Sequence, residues 1–207
     1  VSAQKIFNAG ADVITTGNHA FRRKEMYDLY DSHPTIIRPA NYPNGTTPGK
    51  GICTLDMCSY KINVINLMGI AFMENLECPF RTIDKILKEN DANINIVDFH
   101  AEATGEKRAM GYYLDGRVSV IYGTHTHVLT ADETILPNGT GYITDIGMTG
   151  PINSVLGVKP ELVISKLKDK MPVRFDLAQG DCKLNGVIFN INPKTGKAMS
   201  VERIEIV

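Results

Sequence analysis

Four of the five histidines stand directly behind short apolar, β-branched runs: DVITT leads into Gly17-Asn18-His19, NINIVDF into His100, and VSVIYGT into His125-Thr126-His127. Strands that break off into polar loops are how an open α/β sheet builds a site, at the carboxyl edge of the strands. Three strands ending this way bring imidazoles to one rim. That placement constrains the chain more than its composition does.

Between these runs lie helical patterns. The spacing predicts helices over Ser2–Asn8, Lys24–Tyr30, Thr82–Glu89, Thr104–Leu114 and Pro160–Lys168, and strands over Asp12–Thr16, Gly51–Met57, Lys61–Leu67, Asn93–Phe99 and Val118–Tyr122. In Thr82–Glu89, Ile83, Ile86 and Leu87 fall at i, i+3 and i+4, the mark of one buried face. Strands alternating with helices indicate an α/β fold with helices packed on a sheet. Pro34–Lys50, rich in Pro, Gly, Asn and Thr, reads as a long surface loop. The last third differs. Ile135–Ile143 surrounds a Pro137-Asn138-Gly139 turn, Val173–Asp176 is expected as a short strand, and Lys183–Ile191 with Met199–Ile206 form a terminal hairpin of a second, largely antiparallel sheet.

Composition excludes several partners. The 207 residues carry 22 Lys and Arg against 23 Asp and Glu, too balanced for binding polyanions by bulk charge. No aromatic-rich basic patch argues for long nucleic acid. No stretch approaches the roughly eighteen apolar residues of a spanning helix. Cys53, Cys58, Cys78 and Cys182 form no CxxC pair, which favours reduced thiols in a cytoplasmic protein.

An isolated His-x-His is weak evidence, since two histidines bonded to neighbouring backbone give the same pattern. In an extended segment, however, His125 and His127 face one space, and small neighbours leave room around them. With His100 and His19 in equivalent loops, a metal centre becomes the expectation. The Asn18 carbonyl suits a divalent cation, and the adjacent His19 can donate a proton to a leaving oxygen. His33, before Pro34, falls outside the pattern as a surface residue. Asp98, Glu102 and Asp145 lie near the rim, where orienting histidines or capping loops is their expected role.

The motifs GNH, DFHAEATGEK, GTHTHVLTAD and ITDIGMTGP, together with RPANYPNGTTPGKG, resemble the YmdB-like branch of the calcineurin-like metallophosphoesterases, in the same order over the whole chain. The resemblance implies a layered sandwich of β-sheets flanked by helices, in a single domain over residues 1–207. It also implies two metal ions (Fe, Mn or Zn), with Asn18, His100 and His125 on one, His127 on the other, and His19 as catalytic acid. The implied substrate is a 2',3'- or 3',5'-cyclic nucleotide, and the implied assembly a cytoplasmic homo-oligomer. The family's GDI-type aspartate and NGEN-type glutamate have no counterpart here, so the chain is expected to be N-terminally incomplete. One Asn and three neutral His cancel none of the four charges of two divalent ions, so a dinuclear centre needs carboxylates. Two other readings stay open: a silent binding protein with the same rim, and a mononuclear zinc hydrolase on His100, His125 and His127.

Overall fold

The computed structural model describes residues 2–43 and 45–207. A short helix, α1 (Ser2–Asn8), leads into β1 (Ile14–Thr15), a tight 3-10 turn over Gly17–His19, and α2 (Glu25–Ser32). β2 (Ile36–Ile37) runs parallel to β1, with Ile14 opposite Ile36. Next come β3 (Ile52–Asp56), β4 (Lys61–Met68), α3 (Pro79–Glu89), β5 (Ile94–His100), α4 (Thr104–Leu114), β6 (Val120–Thr124), β7 (Thr134–Ile135) and β8 (Gly141–Ile143). The chain closes through β9 (Gly150–Pro151), α5 (Pro160–Asp169), β10 (Cys182–Ile191) and β11 (Ala198–Ile206).

β3 through β8 make one six-stranded sheet in the order β3-β4-β5-β6-β8-β7. Its centre is parallel, and its two edge strands, β3 and β7, are antiparallel to their neighbours. The central strands are buried on both faces, as a parallel sheet requires. Ile65, Leu67, Val97, Phe99 and Ile121 from the strands meet Ile83 of α3 and Met110 and Leu114 of α4 in one core. Burying each such side chain contributes about 1.5–3 kcal/mol. A second sheet, entirely antiparallel, has the order β11-β10-β9. This is the mixed α/β layering expected from the sequence.

Four expectations need correction. Val173–Asp176 is not a strand; Leu177 alone bridges to Val158. Pro172 has no N–H to give, and among the described residues only the backbone hydrogen bonds from Lys159 N to Asp176 O and from Ala178 N to Gly157 O tie the segment down. Pro34–Lys50 is not a surface loop throughout, because Ile36, Ile37, Arg38 and Asn41 are buried and the two isoleucines form β2. His33 is half-buried at the C-terminus of α2 and stacks on Phe7. α3 starts three residues earlier than predicted, since Pro79 suits the first helical turn. Among the described residues no helix is long and apolar enough to cross a membrane.

Candidate metal centre

The parallel register aligns the ends of three strands: Met68 of β4 pairs with His100 of β5, and His100 with Thr124 of β6. The loops that follow share one rim with the Gly17–His19 turn. Gly17 is required there. Its φ of +60° lies in the left-handed region, and a Cβ would sit 2.5 Å from the His100 ring. Its N–H donates to Asn66 Oδ1 at 3.3 Å, which ties the turn to β4. The next residue, Asn18, places Oδ1 2.9 Å from His100 Nε2.

A hydrogen-bond chain fixes the His100 tautomer. Thr124 Oγ1 donates to Asp98 Oδ1 at 2.7 Å, so the hydroxyl accepts from His100 Nδ1 at 2.9 Å. Nε2 therefore carries a bare lone pair. Burial foremost, then the charge of His125, pulls the His100 pKa down to about 3, so the ring is neutral. Asp98 itself is pushed up to about 6, mainly by burial. On the other side, His125 Nε2 lies 3.0 Å from Glu102 Oε2 and donates to it, and its Nδ1 faces His100 Nε2 at 3.1 Å. Asn18 Oδ1 and His125 Nδ1 thus both face the His100 Nε2 lone pair, at 2.9 and 3.1 Å. A carbonyl oxygen with two imidazole nitrogens is a donor set that fits a divalent metal.

Strand alternation does not place His125 and His127, because β6 stops at Thr124. His125 and His127 have φ of +104° and +64°, a left-handed turn costly for residues with a Cβ. Asp145 holds that turn. Its Oδ2 accepts from Thr126 N at 3.0 Å, Thr126 Oγ1 at 2.7 Å and Lys107 Nζ at 2.7 Å, and its Oδ1 accepts from Gly147 N at 2.9 Å. Lys107 and Asp145 are both buried. His125 joins the cluster, while His127 is exposed and lines a groove of about 560 Å³ toward β10 and β11. His19 makes no hydrogen bond to the cluster among the described residues. Its pKa is lowered, first by burial, then by the charges of Arg22, His125 and His127.

Asp98, Glu102 and Asp145 occupy the supporting positions expected of them. Sequence reasoning missed Thr124, the relay between Asp98 and His100, and Lys107. The second had a signal: Lys107 lies three, four and seven residues before Met110, Gly111 and Leu114 on the buried face of α4, where a cation needs a counter-ion. Among the described residues, no three His, Cys, Asp or Glu side chains are grouped as a metal ion would need. Among the described residues His127 is thus not grouped with His100 and His125; the oxygen beside the two rings is the Asn18 carbonyl.

A sequence model of the YmdB-like protein family matches residues 1–204. The chain is 48% identical over 203 residues to the 2',3'-cyclic-nucleotide 2'-phosphodiesterase of Bacillus subtilis, covering 97% of this chain and 76% of that protein. Among solved structures, a hypothetical protein from Thermus thermophilus shares 40% identity at a TM-score of 0.94, over 99% of this chain and 80% of that one. The crystal structure of a novel phosphatase from Mycoplasma pneumoniae shares 34% identity at a TM-score of 0.93, over 99% of this chain and 75% of that one.

Proposed function

The chain belongs to the YmdB-like family of calcineurin-like metallophosphoesterases, and from that premise we propose that it is a metal-dependent phosphodiesterase opening a 2',3'-cyclic nucleotide. The carrying observation is the cluster of Asn18 Oδ1 and His125 Nδ1 around His100 Nε2, at 2.9 and 3.1 Å. We assign these to one metal and His127 to a second, with carboxylate ligands needed beside them to balance the charge. Metal ions so bound supply Lewis-acid charge for the phosphate oxygens and a water acidic enough to lose its proton near neutral pH.

The chain's own groups do the rest. Thr124 and Asp98 keep the His100 lone pair facing the cluster, and Glu102 does the same for His125. Asp145 and Lys107 hold the turn on which His125 and His127 sit. His19 is assigned as the acid that protonates the departing ribose oxygen. Burial and neighbouring positive charge lower its pKa in the free chain; an anionic phosphate beside it works the other way and favours the imidazolium. A 3',5'-cyclic ester is the competing substrate. The same proposal takes residues 1–207 as one domain and places the protein in the cytoplasm as a homo-oligomer, for which the apolar residues exposed around α5 offer a surface.

Elemental analysis paired with hydrolysis of 2',3'-cyclic AMP tests the assignment. His125→Ala is expected to lose metal and turnover together, whereas His19→Ala keeps the metal and loses turnover. Equal metal loss in both variants removes His19 from the role of acid. Wild-type protein that takes up no metal and hydrolyses neither cyclic ester is a silent scaffold instead.

A further inference from the structure

A second cleft, of about 600 Å³, lies away from the histidines between the Arg38–Ile52 segment and α3. Its floor holds an unusual group. Arg38 is only 4% exposed, yet pairs with no carboxylate among the described residues. Its Nε donates to Pro48 O at 3.2 Å and its Nη1 to Pro39 O at 2.8 Å, while Nη2 meets no protein acceptor among them and is not sealed from solvent. Burying a cation without an anionic partner is costly, and burial lowers even the arginine pKa. An anion in the cleft would offset that cost at the open Nη2.

The walls repeat that demand. Lys50, Arg81 and Lys85 line the same cleft, and none forms an ion pair among the described residues. Cys78 caps α3 without a side-chain hydrogen bond, so the first-turn amides of this 11-residue helix find no side-chain acceptor and their positive end opens beside Arg81. Glu77 and Glu89 also line the cleft, both exposed, so cations outnumber acids by four to two. Ile52 and Ile86 add apolar wall, and the volume exceeds what a bare phosphate fills.

We propose that this cleft is a binding site for a phosphomonoester of nucleotide size, its phosphate seated between Arg38 and the N-terminal turn of α3. The inference stands on the cleft alone and does not depend on the reaction assigned to the histidines.

Isothermal titration of the 207-residue chain with adenosine 5'-monophosphate, in EDTA to silence the metal centre, tests it. One nucleotide per chain is expected, with affinity reduced on the order of tenfold in Arg81→Gln and in Lys50→Gln, each losing one charge-assisted contact. His125→Ala is expected to bind as the wild type does. Both cleft variants change exposed side chains, so neither depends on the buried Arg38 surviving substitution. The proposal is overturned by absent binding, by affinity unchanged in both cleft variants, or by binding lost in His125→Ala, which moves the site to the rim. Inorganic phosphate binding as tightly as the nucleotide overturns the choice of ester.

Discussion

Helices α3 and α5 begin alike, each with Pro in its first turn and an apolar stripe behind it, and they end in opposite circumstances. α3 buries Pro79 and Ile83 against the central sheet, whereas α5 buries no residue at all. The contrast extends to their surroundings. The strands beside α3 and α4 form the main core, while from Ile146 to Val207 only Gly157, Ala178 and Ala198 are buried. Leu167 and Leu177 are 62% and 76% exposed. An apolar stripe shows that a helix has something to bury, but not that its own chain supplies the cover. The rim and its supports stand on the well-packed half; the other half presents the surface expected to meet another copy.

The strongest way to break this comparison is at the rim's buried support. Lys107→Ala strands Asp145 without its cation and is expected to cost about 3–5 kcal/mol in urea unfolding, with metal binding lost as the His125 turn loosens. A loss under about 1 kcal/mol would show that the pair supports nothing. A matched pair sharpens the contrast directly. Ile83→Ala in α3 is expected to cost about 2–5 kcal/mol, and Ile164→Ala in α5 to stay within about 0.5 kcal/mol, so equal costs erase the distinction. Smaller still, Thr124→Val severs the relay from Asp98 to His100 and is expected to weaken metal binding about 10- to 100-fold while leaving the fold intact. Unchanged affinity in a metal titration removes Thr124 from the site. Least disruptive to the fold is Leu167→Ser, expected to shift stability by no more than about 0.5 kcal/mol. Its readout is sedimentation, where a smaller species supports α5 as the contact between copies and an unchanged assembly places that contact elsewhere.

Much of the well-packed half was legible in the sequence. α4 runs over Thr104–Leu114 as predicted, because its buried stripe and the Asp115-Gly116 stop are both local signals. The terminal hairpin differs from expectation by one residue at the start of each strand. Val173–Asp176 failed because alternation favours a strand only where a partner lies alongside, and none continues there. At the rim, His100 and Asn18 came together as the strand ends suggested, 82 residues apart. The pairing of His125 with His127 had the wrong basis, since a left-handed turn, not strand alternation, sets their directions.

By itself the sequence determined which segments are strands and helices in the sheet's half and which side chains reach its carboxyl edge. Hydrophobic period and the residues that end each run are properties of neighbours in the chain. Tertiary structure alone decided the protonation of that edge. The lone pair on His100 depends on Thr124 and Asp98 across a strand pairing, and the turn under His125 depends on Lys107 from another helix. Only the assembled fold shows, too, that Arg38 is buried without an acidic partner among the described residues. Hydrogen-bond direction and desolvation are set by groups distant in sequence, and no local period records them.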